Sequence, residues 1–569
     1  MDDQTFEIGL VGAGAISAGA YTAGVVDFMV VALDAWYAAK AAGNVPPHDV
    51  RLSVFSGASA GGISAALGAA YLGSDQPSIA TEQDAENNQG KNRLFDSWVD
   101  RIDISSLLES RDLADKNSKV ISILDSSILR DIADSGLDVV PRQQKRAYVA
   151  DNFELILTVT NLRGVPYAFG LQGSAGASYD MSLHADYIQF RFSDRPQEAL
   201  PDRYLMPWQV FAAGKDDERT ERLKLAALAS AAFPVGLAPR TLQHVIQLDT
   251  PPDVYSARLW DVPTPETEHP HQCFTEQPIP ANWKPETKGF HFPFQCVDGG
   301  VMNNEPLELA RNVLCGNGGR NKRDGKEARK AVLLIDPFPS NSSFDPAEQP
   351  APDLLKTTFK LFAALKNQAR FKPDELMLAL HEDVFSRFLI APRRGDSVFP
   401  IACGSLGGFG GFLKRDFRKH DYFLGRRNMQ QFLRRHFVLP EKNTLFVNWT
   451  EEQRQTYCVK GVKDQQGEIQ TSADGQRYLP IIPLVAVADT DCYEAPWPAY
   501  SQSDLAQLTD SLENRLDVLL DHLVDQYFDT NHALIRYGAK LFFKLKKPEI
   551  IDYASKVISK DLKKMKLMA

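Results

Sequence analysis

Residues 57–61 read Gly57-Ala58-Ser59-Ala60-Gly61, and what flanks them restricts the fold more than any other feature of the chain. Before them, Arg51-Leu52-Ser53-Val54-Phe55 has the apolar, β-branched and aromatic content of a strand, and after them a Gly/Ala-rich helix is predicted from Ala60. A serine between two such elements sits on a backbone reversal so tight that small residues must surround it. Its hydroxyl stands exposed at the C-terminal edge of a sheet and at a helix N-terminus, where developing negative charge is favoured. Upstream, Phe6–Val11 reads as another strand and Ala20–Ala39 as an Ala-rich helix. Strand, helix, strand, helix in succession predicts a parallel sheet with crossovers.

Between the first strand and the first helix lies Gly12-Ala13-Gly14-Ala15-Ile16-Ser17-Ala18-Gly19. Free backbone N–H groups in such a loop can hold an oxyanion. Nucleotide-binding loops fit less well. The dinucleotide fingerprint needs G-x-G-x-x-G, but the third glycine here comes two residues late, and no acidic residue closes the second strand. A phosphate-binding P-loop needs Gly-Lys followed by Ser or Thr, and this loop has no lysine.

A nucleophilic serine needs a base. The Ser-Asp-His order of α/β-hydrolases is disfavoured by position, because that fold builds several strands before its nucleophile and residues 1–58 have room for one βαβ unit. Among the eleven histidines, His420 in Lys419-His420-Asp421 is the best candidate for a triad member. A carboxylate is the alternative. Asp298-Gly299-Gly300 follows the strand-like Phe294–Val297 and continues into Val301-Met302-Asn303-Asn304-Glu305-Pro306. Two glycines behind an aspartate at a strand end let it approach another loop closely. Partial desolvation raises a carboxylate from its reference pKa near 4 toward a value useful in a base.

Together these three segments resemble the patatin-like phospholipase family. Gly57–Gly61 is similar to its serine motif, Asp298-Gly299-Gly300 with the trailing Asn-Asn-x-Pro to its aspartate motif, and Ala229-Ser230-Ala231-Ala232-Phe233-Pro234 to a further segment. The resemblance covers residues 6–340 and departs at the glycine loop. The family reads Gly-Gly-Gly-x-Arg/Lys-Gly there, whereas this chain has two extra residues before Gly19 and no basic residue. The resemblance implies a three-layer α/β/α domain with a mainly parallel sheet and a Ser–Asp dyad, with Ser59 as nucleophile and Asp298 as base. It implies an oxyanion hole at Gly12, Ala13 and Gly14, Gly57 and Gly61 shaping the serine turn, and Gly299 and Gly300 shaping the aspartate turn. It requires no metal and no cofactor, and its substrates are acyl esters of phospholipids, lysophospholipids or galactolipids. Two other readings are a catalytically impaired relative that binds lipid or a partner, and a histidine-dependent esterase.

The length of 569 residues corresponds to roughly three or four average domains, which a large α/β domain plus additions would satisfy. The expected division is a catalytic domain over 1–340, with a Pro- and His-rich lid or rim insertion at 250–295. A linker at 341–352 leads to a mostly helical C-terminal extension over 353–569. In that extension Gly404–Gly411 is glycine-rich, and from Ser503 onward Leu505, Leu508, Leu512, Leu516, Leu519, Leu523 and Tyr527 mark one face of a long helix. The net charge of −10 disfavours nucleic acid as a partner. Residues 536–569 hold ten Lys/Arg against three acidic residues, so this tail is +7 and the remainder −17. Lys544, Lys546 and Lys547 beside Leu541, Phe542 and Phe543 are candidates for touching anionic lipid headgroups. The acidic N-terminus lacks the basic flank of a signal peptide, and the six cysteines are scattered without a C-x-x-C pair. Both point to a cytoplasmic protein, and the basic tail and the implied lipid substrate to a peripheral place at the inner membrane surface. No sequence feature specifies an oligomeric state.

Overall fold

The first strands show little polar–apolar alternation because helices cover both their faces. β1 (Thr5–Gly12) and β2 (Asp49–Gly57) are parallel neighbours, buried along most of their lengths, as expected for a sheet between two helix layers. The computed structural model describes residues 4–569 except 44, 171–177, 196–199, 213–216, 248–252, 264–273, 284–288, 316–320, 340–360, 362–363, 365–366, 369, 371–383, 464–468, 471–475 and 528–532. The remaining strands of the first part are β3 (Val149–Gly170), β4 (Ser178–Phe192), β5 (Tyr204–Met206), β6 (Arg240–Gln247), β7 (Leu259–Pro263), β8 (Phe274–Pro278), β9 (Gly289–Asp298) and β10 (Lys330–Ile335); β11 (Arg387–Ile390) lies further on.

The main sheet has nine strands in the order β11-β10-β1-β2-β3-β4-β5, with β9 on β3 and β6 on β9. The five strands from β11 to β3 run parallel; β4 and β9 are antiparallel to β3. α1 (Gly19–Ala42) follows β1 and α2 (Ala60–Leu72) follows β2. α3 (Glu218–Ser230) starts at Asp217, whose side chain accepts the Arg219 and Thr220 amides. On the opposite face, Val11, Val54, Ile156 and Val332 pack against Ala310 and Leu314 of α4 (Leu307–Cys315), while their neighbours Leu10, Phe55, Leu155 and Leu333 join the main core. The fold is therefore α/β with three layers and a mainly parallel sheet. The stretch Ile16–Ala42 is long and apolar enough to cross a membrane, but 89% of its most apolar window is buried inside the protein.

The segment 250–295 is more regular than its composition suggests. Where it is described, β7 and β8 form a hairpin, and β9 pairs with β6 from Gly289 to Cys296. Phe292, Phe294 and Cys296 alternate with exposed residues along β9, a period of two. Pro293 obscures that period and is tolerated because β9 meets β3 only from Cys296 to Asp298, which leaves the far side of Pro293 outside the ladder.

The expected linker 341–352 lies outside the described residues. Beyond it, β11 adds a parallel strand to the same sheet. The C-terminal segment is thus continuous with the core rather than a body of its own. Its helices are α5 (Arg415–Arg435), α6 (Gln502–Tyr527) and α7 (Ala533–Lys564), and it carries a small sheet of β12 (Val438–Pro440), β13 (Val459–Lys463), β14 (Ile469–Gln470) and β15 (Gln476–Pro480). α5 lies backbone to backbone on α1: a side chain at Gly24 would collide with the Tyr422 carbonyl, and one at Gly425 with the Tyr21 carbonyl. At this seam Asp27 of α1 forms a buried ion pair with Arg426 of α5 and accepts hydrogen bonds from Tyr71 (3.0 Å), Ser78 (2.8 Å) and Asn92 (2.9 Å).

On α6, Leu505, Leu508 and Leu519 are buried as the pattern predicts, but Tyr527 is exposed, and Arg515 occupies the buried face. The Arg515 guanidinium holds Asp112 at 2.6 and 2.8 Å. Lys547 is bound to Glu513 and Asp517, each at 2.8 Å, and Lys546 to Glu549. Those two amines therefore make contacts within the protein; the side chains of 541–544 lie outside what is described.

His48 joins the first βαβ unit to the C-terminal segment. Its Nδ1 accepts from the Trp449 indole at 3.1 Å and its Nε2 donates to the Ile481 carbonyl at 2.9 Å, an arrangement that needs the neutral ring. Burial pushes its pKa down to about 3 from 6.5. The folded state resists a proton that the unfolded chain takes up, so stability is complete above pH 6.5 and is lost as the pH falls toward 3. The expected slope from this residue is about 1.4 kcal/mol per pH unit within that window. Thermal melts from pH 8 to 4 test this: the fall of Tm below pH 6.5 should be shallower in His48→Gln, and an unchanged slope would acquit His48.

Candidate active site

The serine turn has the geometry its sequence demands. Ser59 follows β2 and precedes α2 with φ 54° and ψ −126°, a conformation an L-residue holds only at a cost of about 1–3 kcal/mol. Side chains cannot be added around it: at Gly57 one would strike the Gly61 carbonyl, and at Gly61 the Gly12 carbonyl. The Ser59 amide donates to Ser230 Oγ at 3.0 Å, so the end of α3 fixes the strained turn. The N-terminus of α2 points its positive dipole end at this serine.

Asp298 reaches the serine from 239 residues away in sequence, and Ser59 Oγ donates to its Oδ2 at 2.5 Å. Both residues are buried, Ser59 at 7% and Asp298 at 4% exposure, so the serine is not exposed as its turn predicts. Three further bonds among the described residues hold the aspartate. Its Oδ1 accepts the Gly300 amide at 2.7 Å, its own amide donates to the Ala232 carbonyl at 2.8 Å, and Thr160 Oγ1 donates to its carbonyl at 2.8 Å. Gly299 is forced, because a side chain there would strike the Thr158 carbonyl. A hydroxyl bound to a fixed, desolvated carboxylate can lose its proton to it as it attacks an electrophile.

The glycine loop lies beside this pair. A Cβ built on Gly14 would stand 3.2 Å from Ser59 Cβ and would collide with Asn304 Oδ1. The expectation that residues 12–14 offer free amides needs correcting. The Ala13 amide donates to the Ile335 carbonyl at 3.0 Å and the Gly14 amide to the Asn304 carbonyl at 3.1 Å; Gly12 lies in the ladder between β10 and β2, and its carbonyl accepts the Ala58 amide. Each amide has one hydrogen and it is already engaged. Among the described residues, the amides of Ala15 and Ile16 have no protein acceptor, and Ile16 is held at φ 51°, unusual for a β-branched residue. Sequence reasoning missed this shift because which amides remain free depends on carbonyls from β10 and the aspartate loop.

His420, the histidine candidate, has another use. Its Nδ1 lies 2.7 Å from Asp421 Oδ1, and Asp421 accepts the Ala402 and Cys403 amides. It braces the glycine-rich turn of the C-terminal segment. That turn in turn holds the start of the first helix, since Ser17 Oγ donates to the Gly408 carbonyl at 2.5 Å and accepts the Gly411 amide at 2.9 Å.

The patatin-like phospholipase family model matches residues 10–311, more than half of the chain and a span that includes the glycine loop, Ser59 and Asp298. A relative from Sinorhizobium fredii (strain NBRC 101917 / NGR234), described as "Uncharacterized protein y4iI", is 34% identical over 601 residues, covering 98% of this chain and 81% of its own length. The chain belongs to the patatin-like phospholipase family.

Proposed function

We propose that this protein hydrolyses carboxylic esters of membrane lipids, as a phospholipase A or lysophospholipase, through a Ser59–Asp298 dyad and an acyl-enzyme. The observation that carries the reading is the 2.5 Å hydrogen bond between the two side chains on a strained turn. Ser59 Oγ attacks the ester carbonyl carbon while its proton passes to Asp298 Oδ2. The tetrahedral oxyanion is met by the amides of Ala15 and Ile16, which have no acceptor among the described residues, and by the N-terminus of α2. Collapse breaks the bond to the leaving alkoxide, which takes the proton from Asp298. Asp298 then removes a proton from water, the hydroxide attacks the acyl carbon, and fatty acid leaves as Ser59 recovers its hydrogen.

One helical turn beyond Ser59, Ile63 joins Leu67, Trp98, Ile132 and Leu228 around a mainly apolar cavity of about 30 Å³, room for about one methylene group rather than an acyl chain. The site would work at a membrane surface, on the cytoplasmic side. Incubation with mixed phospholipid vesicles, followed by lipid mass spectrometry, tests the reading. Free fatty acid and lysophospholipid should accumulate with the wild-type chain and with His420→Ala. Loss of activity in His420→Ala with normal folding would favour a histidine-dependent esterase, and no product from the wild type would leave a lipid-binding relative.

A further inference from the structure

Arg370 belongs to the C-terminal segment, outside the residues matched by the family model, yet its contacts converge on the glycine loop. Its Nε lies 2.7 Å from Glu305 Oε1, and the same oxygen accepts Asn304 Nδ2 at 2.7 Å. The Asn304 carbonyl is the acceptor of the Gly14 amide. Its Oδ1 fills the space where side chains at 14 and 300 would lie, so Asn304 stands between the glycine loop and the aspartate turn. The other arm of the guanidinium, Nη2, lies 2.9 Å from Asp336 Oδ2 and 3.2 Å from the Phe338 carbonyl. Asp336 directly follows Ile335, whose carbonyl accepts the Ala13 amide.

We infer that Arg370 is a positioning residue for the oxyanion loop: one guanidinium fixes, through Glu305–Asn304 and through Asp336–Ile335, the two carbonyls that hold the Gly14 and Ala13 amides. Holding those two amides limits the freedom of the two that follow, those of Ala15 and Ile16. The charge also matters. Glu305 and Asp336 are buried carboxylates close to a loop that must receive an oxyanion, and a cation bound to both offsets their repulsion of it. The surroundings keep the guanidinium in place, with its side chain 18% exposed.

This inference rests on the hydrolytic reading for its kinetic consequence but not for its structural one, so two measurements separate them. In Arg370→Gln, kcat for p-nitrophenyl butyrate should fall on the order of 10- to 100-fold with KM little changed, because placement of the oxyanion donors affects the transition state more than binding. Amide hydrogen exchange in residues 12–19 should become about tenfold faster while the rest of the sheet keeps its protection. Arg370→Lys keeps the charge but not the two-armed geometry, and should fall between wild type and Arg370→Gln in both measurements. Exchange and kcat both unchanged in a folded Arg370→Gln would overturn the assignment. So would a loss of protection spread evenly through the molecule in both variants, which marks a purely structural residue. A wild-type chain without ester turnover would instead count against the hydrolytic reading, and loop exchange would still judge Arg370.

Discussion

Ser59→Ala is expected to lower kcat for ester hydrolysis by about 10³-fold or more, and Asp298→Asn to do nearly as much. In the proposed mechanism the two residues act as one unit, with a nucleophile that needs its proton removed and a carboxylate within 2.5 Å to receive it. Asparagine keeps the size of the aspartate and can still accept the Gly300 amide, but it has no charge to draw the serine proton. The double variant should therefore be little worse than either single one, since removing either member already stops the step. KM should change little in each, because neither side chain is needed to hold the acyl chain. Steady-state kinetics on a soluble ester, with a thermal melt to show that each variant is folded, decides the matter. An Asp298→Asn enzyme that retains most of its kcat would remove the dyad from consideration.

The second large effect concerns the C-terminal segment. A chain ending at residue 340 should fail to accumulate as soluble folded protein. Truncation there strips β11 from the edge of the sheet and uncovers the face of α1 on which Tyr422 and Gly425 lie. It also strands Asp27, a buried carboxylate, without Arg426. An unpaired buried charge costs about 3–5 kcal/mol, which approaches the whole stability of many domains, about 5–15 kcal/mol. The milder form of the same test is Arg426→Ala in the full chain, with an expected loss of about 3–5 kcal/mol in denaturant unfolding. Replacing both partners, Asp27→Asn with Arg426→Met, should recover part of that loss, because no lone charge is then left inside. A soluble, cooperatively melting 1–340 fragment would show that the core closes without its C-terminal cover.

These two results draw on different kinds of information. The serine turn was legible because its requirements are local: small residues at 57 and 61, a strand before and a helix after. The aspartate was legible for the same reason, since two glycines after a strand end mark a close approach. β9 was only partly legible, because a proline within it conceals an alternation that tertiary context permits. Ser230 stood in a recognisable segment, but nothing in its neighbours announces that its hydroxyl accepts the Ser59 amide.

By itself, the sequence determined the α/β class, the strand–turn–helix around Ser59 and the pairing of residue types that a hydrolytic dyad needs, because each depends on spacing within a few residues. The tertiary structure decided that the Ala13 and Gly14 amides of the glycine loop are engaged, since their acceptors arrive from Ile335 and Asn304, hundreds of residues away. It also decided that the C-terminal segment is part of the core. An edge strand, a glycine-to-backbone helix contact and a buried ion pair are long-range agreements between two stretches of chain, and neither stretch carries their signature alone.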